Sequence, residues 1–299
     1  MRELPEGFEL KTEADVILEK DYKDKDKLRA GWYLDLTEPH GEMRKKKQFT
    51  MIKHRMEEPL LQELSASNLA TLIFLSTYMI YDGRIGRSEH YIFDKHIIAA
   101  LTRMDRAQYC RFFNPMCDSG FISCNDGQYS LNQEIFKRGS IGKERPREQQ
   151  GGEYRCKLYA TGIRELYELH WKAGKEKIPH SKLGNLFRLI PFMNRYYNVI
   201  CENPLEKNPD LIRPMTNMNI GTAFGLGYTW ANKMENLFLN TSISVGAHRE
   251  YILKRGNCDS LGEHGLQGIF VNPSLLCADN NNGSVSHMID FHVPQAGVN

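Results

Sequence analysis

Arginine, glutamine, asparagine and lysine fall at helical spacing in two stretches of this 299-residue chain. Those are the side chains that can read base edges or grip a polyanion. The first set is Arg103, Arg106, Gln108 and Arg111. In a major groove an arginine meets guanine O6 and N7 with two hydrogen bonds, and a glutamine meets adenine N6 and N7 in the same way. Arg103, one turn earlier, suits a phosphate. The second set is Thr229, Asn232 and Lys233, followed by Arg249, Lys254 and Arg255, with Trp230 expected in the core. A further cationic run, Met43–Arg55, has six Lys/Arg and one His in thirteen residues and includes Lys45, Lys46 and Lys47. Taken singly, each of these side chains is as well explained by an ordinary solvated surface. Their position beside two helix-pair patterns raises the weight of the functional reading.

Other chemistries find little support. Cysteines stand at positions 110, 117, 124, 156, 201, 258 and 277, without a CxxC pair. Cys110, Cys117 and Cys124 are evenly spaced, but structural zinc sites pair ligands two to four residues apart. Ordinary buried, reduced thiols are expected instead. His287 and His292 are five apart near the C-terminus and do not make the tight pair that a DNA-nicking site with a nucleophilic tyrosine requires. No glycine loop of the form GxxxxGK followed by Ser or Thr occurs, and Ser, His and Asp are not arranged in a motif. The expectation is therefore no catalytic role, no cofactor and no metal.

The elements that must position these residues form an internal repeat. Ser65–Ile141 and His180–Asp279 have the same order: an apolar helix, a shorter helix, a tight break, a second helix, then strand-like material. The apolar helices are LATLIFLSTYMIYDG and LGNLFRLIPFMN, and the breaks are TRM and GLG. That order predicts a mainly α chain with small β-wings, two tandem winged helix-turn-helix domains. The expected divisions are a charged segment 1–47, a first domain 48–141, a linker 142–152, a second domain 153–280 and a poorly ordered tail 281–299. Ser67 or Asn68, Asp94, Asp105, and Thr216 or Asn217 are the expected helix caps. Pro115 is expected to end its helix near Phe113, and Gly225–Gly227 to make a tight turn.

Composition agrees with globular material, at 41% hydrophobic and 25% charged residues. No apolar run reaches the ~18 residues of a membrane span. The longest, Leu69–Ile80, is broken by Ser, Thr and Tyr and reads as a buried helix. The N-terminus MRELPEGFELKTEADV lacks the apolar core of a secretory signal, so a cytoplasmic location is expected. A net charge of +2 and a pI near 8.1 are only mildly basic, so binding to nucleic acid would have to rest on local cationic clusters.

Particular strings carry a resemblance. KLYATGIRELYE, HSKLGNLFRLIPFMN and YNVICENPLE, then PMT, a helix pair and IFVNPSLLCADN, resemble phage and Firmicutes plasmid proteins related to the RepL-type replication proteins. The likeness covers Glu153–Asn280 well and Gln48–Ile141 more loosely. It implies winged-helix modules and sequence-specific binding of double-stranded DNA, in replication initiation or its control. The implied partners are double-stranded DNA and host replication or transcription proteins, with no membrane. A transcriptional regulator and a protein–protein interaction module are the alternatives. Two tandem modules would favour a direct-repeat or long asymmetric site.

Overall fold

The computed structural model describes residues 49–53, 64–138, 155–172, 174, 177–258, 265–278 and 289–294, all within the compact unit Lys47–Asn299. At its centre is a four-stranded antiparallel sheet. Strand β1 (Phe49–Lys53) lies between β6 (Phe136–Arg138) and β7 (Arg155–Tyr159), and β12 (Leu276–Cys277) is added on the far side of β7. Ile52 thus stands opposite both Phe136 and Cys156.

In the first half, helix α1 (Ala66–Ser76) follows β1, capped by Ser65, whose hydroxyl accepts from Asn68 N. The expected cap, Ser67 or Asn68, was two or three residues late. Residues Leu69–Ser76 are all buried, because this helix is covered on every side rather than along one stripe. A short irregular ribbon, β2 (Gly86–Ser88) and β3 (Tyr91–Ile92), leads to helices α2 (Lys95–Thr102) and α3 (Arg106–Asp118). The Asp94 carboxylate accepts from His96 N and Ile97 N. Asp105 and Gln108 form a capping box at the start of α3. The hairpin β4 (Ile122–Asn125) and β5 (Gln128–Leu131) then turns through Asp126 and Gly127, both at positive φ, as a two-residue hairpin loop requires.

The second half runs in parallel. Helix α4 (Ala160–Glu168) and α5 (His180–Phe187) follow β7. The second helix ends at Phe187, and a 3-10 turn at Ile190–Phe192 holds Pro191. The helix pair α6 (Asn217–Ala223) and α7 (Tyr228–Leu239) comes next, with Thr216 as the first cap and Gly225 at φ +64° in the turn. Two hairpins follow: β8 (Ser242–Val245) with β9 (His248–Tyr251), and β10 (Leu253–Cys258) with β11 (Leu266–Val271). Even the approaches to the outer sheet strands match. Asn132 O accepts from the amides of Ile135 and Phe136, and Asn272 O accepts from those of Leu275 and Leu276.

The expectation of a mainly α chain with two tandem winged helix-turn-helix domains is overturned. The described residues form a mixed α+β fold of seven α-helices and several small antiparallel sheets. The central sheet takes two strands from each half, so the halves are fused along β1 and β7. Helix α1 of the first half packs against α4 and α5 of the second and seals the junction. The Phe74 and Tyr167 rings stack with centroids 3.9 Å apart, and Thr71 Oγ1 lies 3.2 Å from Tyr167 Oη. Arg164 donates to Thr77 O at 2.7 Å, and Arg188 to Leu64 O at 2.6 Å. Strand content is easy to underestimate here, because several strands are only two to four residues long and most carry no clean alternation.

Two local expectations also change. Helix α3 does not stop at Phe113 but continues through Pro115 to Asp118. Proline removes one amide donor, yet its position is exposed, and burial of Phe112, Phe113 and Met116 holds the helix together. The tail is ordered over 289–294: Ile289 and Phe291 enter the cluster formed by Phe270, Ile212, Val199 and Cys258. The expected segments 1–47 and 142–152 lie outside the described residues.

Candidate nucleic-acid interface

The turn between α2 and α3 is made by Arg103, which takes a left-handed conformation at φ 52°. Its side chain does not face solvent. The guanidinium lies 2.5 Å from Glu168 Oε2 and 4.2 Å from the centre of the Trp171 ring, with only 13% of the side chain exposed. Arg103 is therefore a cross-tie from the first helix pair to the end of α4, and phosphate contact is not its task.

Arg106, Gln108 and Arg111 occupy the first turns of α3 and are exposed. Gln108 Oε1 accepts from Asp105 N in the capping box, at 3.1 Å. Pairing with adenine needs that same oxygen as well as the amide NH2, so base reading by Gln108 would cost the cap. Arg111 folds its Nε back toward Ala107 O, and its remaining guanidinium donors stay exposed. Among the described residues, no acidic group pairs with Arg106 or Arg111. The positive end of the helix dipole lies beside them.

On α7, Thr229 and Lys233 are exposed. Asn232 is half-buried, and its Oδ1 accepts from Asn217 Nδ2 at 3.2 Å. Asn217 also donates to Glu235 Oε2 at 2.7 Å. Glu235 is buried and takes two hydrogen bonds from Arg255, at 3.1 and 2.6 Å. Asn232 and Arg255 thus belong to a network that satisfies a buried carboxylate, which would be costly to leave unpaired. Trp230 is half-buried, not a core residue.

The remaining sequence-predicted cations are also engaged. Arg249 on β9 grips Ser242 Oγ at 3.0 Å and Ser242 O at 2.8 Å, and lies 3.5 Å from Glu165. Lys254 is on β10 and donates to Asp290 O. Lys45, Lys46 and Lys47 lie outside the described residues. Of the predicted set, Arg106 and Arg111 on α3, with Thr229 and Lys233 on α7, are the exposed side chains that no other side chain among the described residues engages.

No protein-family model, curated protein or solved structure matches this chain. The functional reading rests on the residues themselves.

Sequence reading missed the partners that claim its arginines, Glu168, Trp171 and Glu235, because they are remote in sequence from Arg103 and Arg255. It also misplaced three thiols. Cys110 and Cys124 are exposed and Cys117 is half-buried, since the apolar stripe of α3 runs through Phe112, Phe113 and Met116 instead. Cys156, Cys201, Cys258 and Cys277 are buried as expected. His292, set aside as a tail residue, lies beside His248 and Glu250. No helix among the described residues is long and apolar enough to cross a membrane.

Proposed function

We propose that this chain is a sequence-specific double-stranded DNA-binding protein of phage or plasmid type. It acts in replication initiation or its control, in the cytoplasm, with host replication or transcription proteins as partners and without catalysis of its own. The observation that carries this reading is duplication around a shared sheet. Each half presents a helix whose first turns bear exposed, uncompensated polar or cationic side chains: Arg106 and Arg111 on α3, Thr229 and Lys233 on α7. N-terminal helix turns of this kind reach base edges in a major groove, and exposed cations there neutralise phosphate. The resemblance of Glu153–Asn280 to RepL-type replication proteins points the same way.

The sheet also revises the expected target. Strands β1 and β7 run antiparallel side by side, with β6 and β12 as equivalent flanks. That arrangement relates the halves by an approximate two-fold, like the subunits of a symmetric dimer. The preferred site is then an imperfect inverted repeat, not the direct repeat that tandem modules would favour. Selection from a random duplex library tests this. Two half-sites in opposite orientation are expected, and enrichment of a direct repeat or of no sequence would overturn it.

One observation favours a second reading. Met218 on α6 and Tyr228 on α7 are 65% and 57% exposed, which suits an apolar protein contact on the second half. If Met218→Ser and Tyr228→Ser leave DNA affinity unchanged but abolish a host-protein interaction, the second helix pair serves a protein partner.

A further inference from the structure

We propose that His248, Glu250 and His292 form a binding site for one divalent transition metal ion, which pins the C-terminal segment to the β8–β9 hairpin. His248 and Glu250 are alternate residues of β9 and so project from one face of that strand. The segment 289–294 runs antiparallel beside β9: Tyr251 N donates to Phe291 O at 2.8 Å, and Val293 N to Arg249 O at 3.0 Å. Those bonds set His292 directly opposite Glu250, so all three side chains emerge from one side of a two-stranded patch.

The donor atoms of the three residues all lie within 4.8 Å of one another. His248 Nε2 is 2.9 Å from Glu250 Oε1, and the two imidazole rings have centroids 4.3 Å apart. Ligands on a tetrahedral zinc ion, at bond lengths near 2.0–2.1 Å, stand roughly 3.3 Å from each other. Small side-chain rotations in His248 and His292, both exposed, close that difference. The other carboxylate oxygen of Glu250 accepts from Asn272 Nδ2 at 2.9 Å. Asn272 is itself fully buried and also donates to Tyr251 O. An oriented carboxylate of this kind is what holds a metal ligand in place from behind.

Two imidazoles and one carboxylate are the donor set of zinc and of its first-row neighbours, with a further position open to water. The consequence is mechanical. Ile289 and Phe291 complete the cluster with Phe270 and Ile212, so a metal at His292 locks that apolar plug in position.

The test is titration of the full-length, chelator-stripped protein with Zn2+ by calorimetry, and with Co2+ by visible absorption. One equivalent should bind, without the charge-transfer band of a thiolate ligand, which separates this site from the exposed cysteines. His248→Ala, Glu250→Gln and His292→Ala should each weaken binding by more than about tenfold, while His96→Ala leaves it unchanged. Zn2+ should also slow hydrogen exchange at the Phe291 and Val293 region in the parent protein but not in the folded His292→Ala variant. Substoichiometric binding, a thiolate band at the first equivalent, or His292→Ala binding as tightly as the parent would overturn the proposal.

Discussion

Gly184, in the middle of α5, is where the junction between the halves is tightest. A Cβ built there would lie 1.7 Å from Ala66 O, 2.3 Å from Ala66 C and 2.7 Å from Ala66 Cα. All three are backbone atoms of the first turn of α1, so no side-chain rotation relieves the clash. Reaching even 3.0 Å, below which real Cβ atoms are essentially never found, demands that the helices separate by about 1.3 Å. That movement would strain the Arg188–Leu64 hydrogen bond at the end of α5. Overpacking costs typically 1–3 kcal/mol. Alanine regains about 1 kcal/mol of helix propensity over glycine. With rigid backbone on the opposing side the cost sits at the top of that range, so the net loss for Gly184→Ala should be about 2 kcal/mol. Urea denaturation followed by circular dichroism reads it directly. Lys182→Ala, at an exposed position of the same helix, should change stability by less than about 0.5 kcal/mol. Ala66→Gly should not rescue Gly184→Ala, because the obstruction is main chain. A Gly184→Ala variant as stable as its parent, or more so, would refute the close approach of α1 and α5.

Other consequences follow from the same packing. Arg103→Ala should destabilise by about 2 kcal/mol, since it removes the charge-assisted hydrogen bond to Glu168 and the stacking on Trp171, yet leave the salt dependence of DNA binding unchanged; a flatter salt slope would return Arg103 to the phosphate backbone. Gln108→Ala should cost about 0.5–1 kcal/mol of stability through the lost capping box without altering sequence preference, whereas a relaxed preference in a selection experiment would contradict its assignment to the cap. His180, stacked on Tyr167 and His170, is depressed to about 3 by burial, reinforced by His170 and Arg103. Its neutral form is the one the fold holds, so the unfolded chain binds the extra proton between the ordinary histidine pKa near 6.5 and 3. Stability from this group is therefore complete above about pH 6.5 and falls as pH drops toward 3, by roughly 3 kcal/mol at pH 4. Denaturation midpoints at both pH values check this, and His180→Phe should flatten the difference; an unchanged acid sensitivity in that variant would place the effect elsewhere.

Much of the local structure was legible because its causes are local. Asp94, Asp105 and Thr216 cap helices through their own side chains, and Leu69–Ile80 is too apolar to sit anywhere but inside. The repeat was legible as well, since each copy keeps the same order of apolar helix, helix pair and strand. The way the copies combine was not. Pairing of β1 with β7 joins residues more than a hundred positions apart, and nothing in FTMIK or RCKLY specifies its partner. The same distance hid the roles of Arg103 and Arg255, whose free appearance in sequence is cancelled by Glu168 and Glu235 in space. The alternation of Ile289 and Phe291 was a readable signal for an ordered C-terminal segment, masked by the polar run NNNGSVS before it.

DNA binding stands or falls on α3 and α7 as the helices that face the duplex. Fluorescence anisotropy with random duplex DNA across a salt series measures this most directly. Binding should weaken steeply with salt, and Arg106→Ala and Lys233→Ala should each lower affinity. Each should also flatten the salt slope by about one unit, as removal of one cation from one phosphate does. An absence of binding at low salt, or binding untouched by both substitutions, would contradict the claim.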